Sequence, residues 1–252
     1  MDNAATPKTR LFSPEVLVAD SEIWLSGEQA NYVTRVLRLK TDHKVVMFDG
    51  NGGQFLAVIK EFTRDQVLLH VGDYHAQEIE SPLAVHLIQG ISRGGRMDVV
   101  IQKSTELGVR RITPVITEFS VVKLDAERAG KRHAHWLKIS QSACEQCGRN
   151  TPPEIDIPQN LDGWLAGHPG DGAKRIMLDP HSNESIIALP APDELVELLV
   201  GAEGGLSSAE YAQCEESGFK AASLGPRILR TETAALAGIA VLQAFWGDLT
   251  TG

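Results

Sequence analysis

Short apolar runs separated by polar and turn residues fill the chain before residue 80, and helical periods alternate with strand-like runs after it. Lys44–Phe48, Gln54–Ile59 and Gln66–Val71 read as strands, because short runs rich in β-branched and other apolar residues, bounded by turn residues, favour extended chain. Asp49-Gly-Asn-Gly-Gly53 predicts the hairpin turn between the first two. Ala30–Leu39 carries the spacing of a short helix. A small barrel or sandwich accounts for this part, and Glu78-Ile-Glu-Ser-Pro82 reads as a linker. The division expected is 1–77 and 78–252.

After Pro82 the pattern alternates between strand and helix. Leu83–Ile88 reads as a buried strand, and the turn Ser92-Arg-Gly-Gly-Arg96 leads into a helix over Met97–Leu107 that Gly108 terminates. Arg111–Ile116 is the next strand, which Pro114 pushes toward an edge or an end. A long helix follows over Glu127–Cys147, then strands at Arg175–Leu178, Leu195–Val200 and Lys220–Leu224. Helices follow the last two strands, and Ser207-Ser-Ala-Glu210 forms a capping box for the first of them. Such alternation predicts an α/β domain with a largely parallel sheet, whose ligands bind at the carboxyl ends of strands. Two glycine turns lie at such ends, Val200-Gly-Ala-Glu-Gly-Gly-Leu-Ser207 and the segment opened by Leu224-Gly-Pro-Arg227. On neighbouring strands they make a pocket lined by backbone groups, suited to a small cofactor.

The 252-residue chain is 42% hydrophobic and 23% charged, as is ordinary for a globular protein. No apolar run reaches the roughly 20 residues that span a bilayer, and no signal-peptide pattern opens the sequence. The three cysteines form no disulfide framework, so a reducing cytoplasm and no membrane are expected. The net charge of −9 argues against a nucleic-acid partner until its distribution is read. Over residues 81–150, Lys and Arg number 11 against 6 Asp and Glu, whereas 151–252 carry 5 against 15. Phosphate binding depends on such a local basic patch more than on total charge; a solvated face is the other reading of the same residues.

The known glycine motifs fail. Neither turn has the lysine of a P-loop, and Gly201-Ala-Glu-Gly-Gly205 lacks the spacing of the dinucleotide fingerprint. Glu203 stands between glycines, where it either bonds a ligand hydroxyl or cation or faces solvent. Arg227 and Arg230 stand ready for an anion. His133-Ala-His135 with Cys144-x-x-Cys147 is a thin case for a metal or redox site, and no metal is expected.

These residues also carry a resemblance. Val200–Ser207 followed by Leu224-Gly-Pro-Arg-Ile-Leu-Arg-Thr-Glu-Thr-Ala234 is similar to the paired cofactor motifs of the 16S rRNA (uracil-N3) methyltransferases, which are trefoil-knotted SPOUT enzymes. Gln102-Lys-Ser-Thr-Glu-Leu-Gly-Val109, and Cys144-Glu-Gln-Cys-Gly-Arg-Asn150 with Pro153-Glu-Ile155, match further blocks. Arg35-Val-Leu-Arg-Leu-Lys40 with Phe48-Asp-Gly50 resembles that family's PUA-like domain. The resemblance implies an α/β protein: a PUA-like RNA-binding β-barrel over 1–77, then a SPOUT methyltransferase domain over 78–252 with a C-terminal knot. It departs at Ala202, where the family usually has proline, at Leu206, where it has phenylalanine, near Phe119, where it has arginine, and at Tyr32, where it has histidine.

The same resemblance implies S-adenosylmethionine as cofactor, held by Leu178, Gly201, Glu203, Gly204, Gly205, Leu224, Gly225, Ile228 and Leu229. It implies a homodimer, for which the small residues Ala234, Ala235, Ala237, Gly238 and Ala240 on the helix Thr231–Phe245 allow close approach; an internal core helix would use them equally well. The partner it implies is 16S rRNA in the assembled small subunit. Uracil N3 bears a proton, so a general base, or a cation that stabilises the uracil anion, is needed. Arg230 is the candidate cation and Glu232 the candidate base, although Glu232 also suits a helix N-terminus. Arg149 and Arg227 are candidate phosphate or base contacts. Arg93, Arg96, Lys123, Arg128, Lys131 and Arg132 are candidates for one phosphate clamp, and Arg10, Arg35, Arg38 and Lys40 for a second RNA segment. A non-catalytic RNA-binding protein and a knotted enzyme acting on another RNA atom are the alternatives.

Overall fold

The short apolar runs of the first part pair into one sheet, which buries their apolar side chains in a common core. The computed structural model describes residues 7–120, 125–170, 172–193 and 195–250. Their contacts divide the chain into two units, residues up to Glu80 with Cys144–Pro152, and Ser81–Ala143 with Pro153 onward.

In the first unit the elements are β1 (Arg10–Phe12), β2 (Ser21–Ser26), α1 (Gly27–Asn31), β3 (Lys44–Phe48), β4 (Gln54–Phe62) and β5 (Gln66–His75). The sheet order is β1-β3-β4-β5-β2. β1 runs parallel to β3 and the other pairs are antiparallel. Two register shifts in β4–β5, at Phe55/Ala57 and Ile59/Glu61, curl the sheet. Its end strands β1 and β2 form no ladder with each other among the described residues, so the expected barrel is an open, curled sheet. The helix expected over Ala30–Leu39 divides into α1 and a π-helical turn, Tyr32–Val36. The core is Val33, Val45, Met47, Ala57, Ile59, Val67, Leu69 and Val71, all fully buried.

Segment Cys144–Pro152 is tied into this unit by polar bonds. The Arg10 guanidinium donates to Gln54 Oε1 at 2.6 Å and to Asn150 Oδ1 at 2.7 Å, and lies 4.8 Å from the Phe48 ring centroid. Arg149, 3% exposed, pairs with Glu80 at 2.7 Å. Arg10 and Arg149, candidate RNA contacts in sequence, are half-buried and buried here, with their guanidinium groups engaged by these partners. They face inward because buried carboxylate, amide and carbonyl oxygens need donors.

In the second unit the elements are β6 (Ala84–Gly90), α2 (Arg96–Glu106), β7 (Arg111–Ile116), α3 (Ala126–Cys147, up to Ala143 here), β8 (Glu154–Ile155), β9 (Gln159–Asn160), α4 (Leu161–Gly167), β10 (Lys174–Leu178), β11 (Leu195–Val200), α5 (Ser208–Glu216), β12 (Lys220–Ala222) and α6 (Thr231–Trp246). The sheet is parallel throughout, in the order β12-β10-β11-β6-β7-β8, with β9 also on β7. Two sequence expectations change. The strands that end in glycine turns, β11 and β12, are not neighbours: β10 lies between them and pairs with each. Nor does Pro114 mark an edge: β8 pairs with Arg111 and Ile112 and β9 with Val115 and Ile116, so the missing N–H falls in the gap between them.

Both faces of the sheet are covered, which explains its near-continuous apolar runs. On one face Val85, Leu87, Val196 and Leu198 meet α2 (Met97, Val100, Ile101), Trp136 of α3 and α6 (Ala235, Ile239, Leu242). On the other, Ile88, Met177 and Leu199 meet Leu161 and Trp164 of α4, Cys214 of α5, and Phe219. Each such side chain contributes about 1.5–3 kcal/mol on burial. A polar row also crosses the strands: Arg175 donates to Glu197 at 2.7 Å, Glu197 lies 3.5 Å from His86 Nδ1, and His86 Nε2 is 2.7 Å from Thr113 Oγ1. Thr113 and Arg111 both reach Asp156.

Candidate functional site

The carboxyl ends of β10, β11 and β12 open onto one cavity of about 900 Å³. Its floor is the turn after β11, closed by a bond from Gly205 N to Ala202 O at 2.9 Å. Glycine is required here by close approach. A Cβ on Gly201 would lie 2.9 Å from the Gly205 carbonyl carbon, and one on Gly204 would lie 2.6 Å from Phe119 Cβ. Gly90, at the end of β6, would drive a methyl into the Ala202 backbone nitrogen. The capping box Ser207–Glu210 then starts α5, and Glu210 also accepts from Glu118 N at 2.7 Å.

The wall is the segment between β12 and α6. Leu224 and Leu229 are half-buried, Gly225 has φ +95, and Arg227, Ile228 and Arg230 are exposed. Arg230 is the N-cap residue of α6, with extended backbone. Thr231 then anchors the helix: its hydroxyl donates to Gly201 O at 2.6 Å and accepts from Gln89 Nε2 at 2.9 Å. The third side is the turn after β10, where Asp179 N bonds Ala222 O at 3.0 Å and the Asp179 carboxylate accepts from His181 N at 2.8 Å. Burial and the adjacent Asp179 raise the Tyr211 hydroxyl above its ordinary value.

Arg96, at the start of α2, dominates the electrostatics. Its NH1 lies 2.6 Å from Glu203 Oε1 and its Nε 3.8 Å from Glu232 Oε1. Burial pushes Glu203 up, but the Arg93 backbone N–H and the Arg96 guanidinium outweigh it and hold the carboxyl below its usual range. Glu232 Oε2 is buried and has no hydrogen-bond partner among the described residues.

Leu178, Gly201, Glu203, Gly204, Gly205, Leu224, Gly225, Ile228 and Leu229 all line this cavity, together with Arg230, Glu232, Arg96 and Arg227. Glu203 lines it with its carboxylate already held from within the protein. The Arg93 side chain is exposed, and its backbone N–H is the part that bonds. Arg35, Arg38 and Lys40 are exposed on the first unit. Arg128 and Lys131 pair with Asp125 and Glu127 on their own helical turns, Arg132 is half-buried, and Lys123 lies outside the described residues. Sequence reasoning missed Gly90, Gln89, Asp179, His181 and Tyr211, which come together only through tertiary packing. The histidine–cysteine alternative is not assembled: His133 Nε2 sits 2.7 Å from Ile155 O, His135 pairs with Asp98, and a hydrogen bond with Cys147 and burial push the Cys144 thiol far up. Among the described residues no group of three or more His, Cys, Asp or Glu is placed to hold a metal.

Residues 79–243 match the family model for an RNA methyltransferase domain, and residues 25–71 that for an RNA methyltransferase PUA domain. The chain is 36% identical over 241 residues to ribosomal RNA small subunit methyltransferase E of Buchnera aphidicola subsp. Schizaphis graminum, covering 96% of this chain and 98% of the relative. It is similar in structure to a methyltransferase from Legionella pneumophila solved with bound SAM, with a TM-score of 0.92 and 39% identity over 98% of this chain and 100% of the other. The ribosomal RNA small subunit methyltransferase E from Neisseria gonorrhoeae, bound to S-adenosyl methionine, superposes with a TM-score of 0.89 and 37% identity over 96% and 99% of the two chains.

Proposed function

This chain belongs to the RNA methyltransferase family, and from that premise we propose that it methylates N3 of one uridine in 16S ribosomal RNA, in the assembled small subunit, using S-adenosylmethionine. The observation that carries this reading is the cavity at the ends of β10–β12, where both glycine motifs meet a carboxylate with an unpartnered buried oxygen.

The residues present fit the cofactor. A cavity of about 900 Å³ is within the range of small-molecule sites. The apolar side chains Leu178, Leu224, Ile228 and Leu229 suit an adenine, and the tight glycine turns bring main-chain groups to the ligand. When bound, S-adenosylmethionine would supply a methyl carbon activated by a sulfonium, whose sulfur keeps the electron pair of the broken S–C bond and leaves as a neutral thioether. The chain supplies the rest. Glu232 Oε2 is the acceptor for the uracil N3 proton, so that the nitrogen lone pair is free to form the new N–C bond. Arg230 has an exposed guanidinium on the same cavity, suited to charge developing on a uracil oxygen. Holding nucleophile and methyl carbon in line is a positioning task, which the rigid strand ends serve.

The domain assignment that goes with this reading is a PUA-like RNA-binding domain over 1–77 and a SPOUT methyltransferase domain over 78–252, with the segment before α6 threaded as a trefoil knot. The exposed Arg35, Arg38 and Lys40 are taken as contacts to a second RNA segment, and Arg227 as a contact beside the site. A homodimer is supported by α6: one face is buried in its own unit, while Thr233 and Phe245 are exposed and Ala237, Ala240, Val241 and Ala244 only half-buried. The ribosomal substrate puts the reaction in the cytoplasm. The test is transfer of labelled methyl to unmodified small subunits and to the same RNA stripped of protein. Greater incorporation into subunits is expected, and incorporation into neither would refute the substrate.

A further inference from the structure

We infer that Arg96 is a positioning residue of this site, clasping the two motif loops together and presenting Glu232 to the target base. The inference rests on the functional reading above and replaces the role of Arg96 as a phosphate clamp.

Three elements meet at this guanidinium. Arg96 is the first residue of α2, Glu203 lies in the turn after β11, and Glu232 is the second residue of α6. Arg96 NH1 binds Glu203 Oε1 at 2.6 Å, and the same oxygen accepts the Arg93 backbone N–H at 3.0 Å. Glu203 is thus fixed from two sides by the loop that precedes α2, where Gly94 takes φ +63 to make the turn. The Nε of Arg96 lies 3.8 Å from Glu232 Oε1, while Glu232 Oε2 is buried without a partner among the described residues. The consequence is an asymmetric carboxylate. One oxygen faces a fixed cation and the other is left as an acceptor, which is the arrangement a base needs when an N–H arrives. An arginine already shared between two carboxylates is poorly disposed to take a phosphate as well, since the phosphate would have to break the pair and face both negative charges.

The other charged groups around Glu232 are Arg227 and Arg230 from the segment before α6, and Asp179 and His181 from the turn after β10, all on the same cavity. Among the described residues, it is Arg96 that forms the ion pair with Glu232.

The test compares Arg96→Met and Arg96→Lys with the wild-type enzyme, using small subunits as substrate and calorimetry for S-adenosylmethionine. Arg96→Met should lower kcat by about 10²-fold, the lower end of what a general base supplies, with little change in KM for the subunit. Its cofactor affinity should fall by about fivefold, since the Glu203 turn loses one tether. Arg96→Lys should recover part of the rate. A raised KM with unchanged kcat would make Arg96 an RNA contact and overturn the inference, as would unchanged kcat and affinity. Should the wild-type enzyme leave subunits unlabelled, the functional reading fails instead; the clasp is then decided by the calorimetry, where an unchanged affinity in Arg96→Met overturns it.

Discussion

The hydroxyl of Thr231 donates to the carbonyl of Gly201 across 2.6 Å, fastening the first residue of α6 to the first residue of the glycine turn after β11. Two loops far apart in sequence thereby share one edge of the cavity, and Gln89 Nε2, fully buried, completes the link from below. Thr231→Val keeps the shape and removes the hydroxyl. It leaves the Gly201 carbonyl and the Gln89 amide short of partners, at a cost of about 1–3 kcal/mol. The midpoint of thermal unfolding should fall by several degrees, and affinity for S-adenosylmethionine should weaken by about tenfold or more. Unchanged affinity in calorimetry would show that the link does not shape the pocket.

Gly90 has no side chain in the cavity, yet it should be as sensitive as the motif glycines. A methyl there overlaps the backbone nitrogen of Ala202 and approaches the Gly201 carbonyl carbon to 2.7 Å, and neither is a flexible side-chain end. Gly90→Ala should destabilise by about 1–3 kcal/mol or more through overpacking, with cofactor binding reduced beyond what partial unfolding accounts for. Denaturant titration alongside calorimetry separates the two effects.

The polar row across the second sheet should govern acid stability. Burial raises Glu197, but its bonds to His86 and Arg175 prevail and hold it below the carboxylate range. For Asp156, likewise, Arg111 and Thr113 overcome burial. Both groups have folded values below their unfolded ones, so their stabilisation is complete above roughly pH 5 and is lost as pH falls below about 4. Glu197→Gln leaves Arg175 buried without its counter-charge and should cost about 3–5 kcal/mol at pH 7. Urea midpoints at neutral and acid pH should show a smaller loss on acidification for the variant than for wild type.

Arginines on the two sides of the first unit should behave differently. Replacing Arg35, Arg38 and Lys40 by glutamine should weaken RNA binding and reduce the slope of log affinity against log salt, by about 0.7–0.9 for each phosphate that is no longer neutralised. The melting temperature should hardly move. Arg149→Gln should do the reverse, because Arg149 is 3% exposed and pairs with Glu80 at 2.7 Å.

What could be read from the chain was what local chemistry dictates. The glycine turns, the Ser207–Glu210 capping box and the positive φ of +81 at Gly108 need only neighbouring residues, and they stand where the pattern puts them. The cavity residues assigned through the two motifs also converge. The insertion of β10 between β11 and β12 was not readable, since its short apolar run Ile176–Leu178 does not announce its neighbours. β8 and β9, with two residues each, are too short to show a period. Arg10 and Arg149 look like surface cations in sequence and turn inward because distant oxygens require them. Gly90 and the Arg96 clasp depend on loops that meet only in three dimensions.

The most direct measurement is the identity of the methylated nucleoside. Small subunits lacking the modification would be incubated with the protein and labelled S-adenosylmethionine, digested, and the labelled nucleoside identified by mass spectrometry. The expected product is 3-methyluridine at a single position, abolished by Glu232→Gln in an enzyme that still binds the cofactor. Label on a ribose oxygen or a base carbon, or full activity in Glu232→Gln, would contradict the proposed reaction.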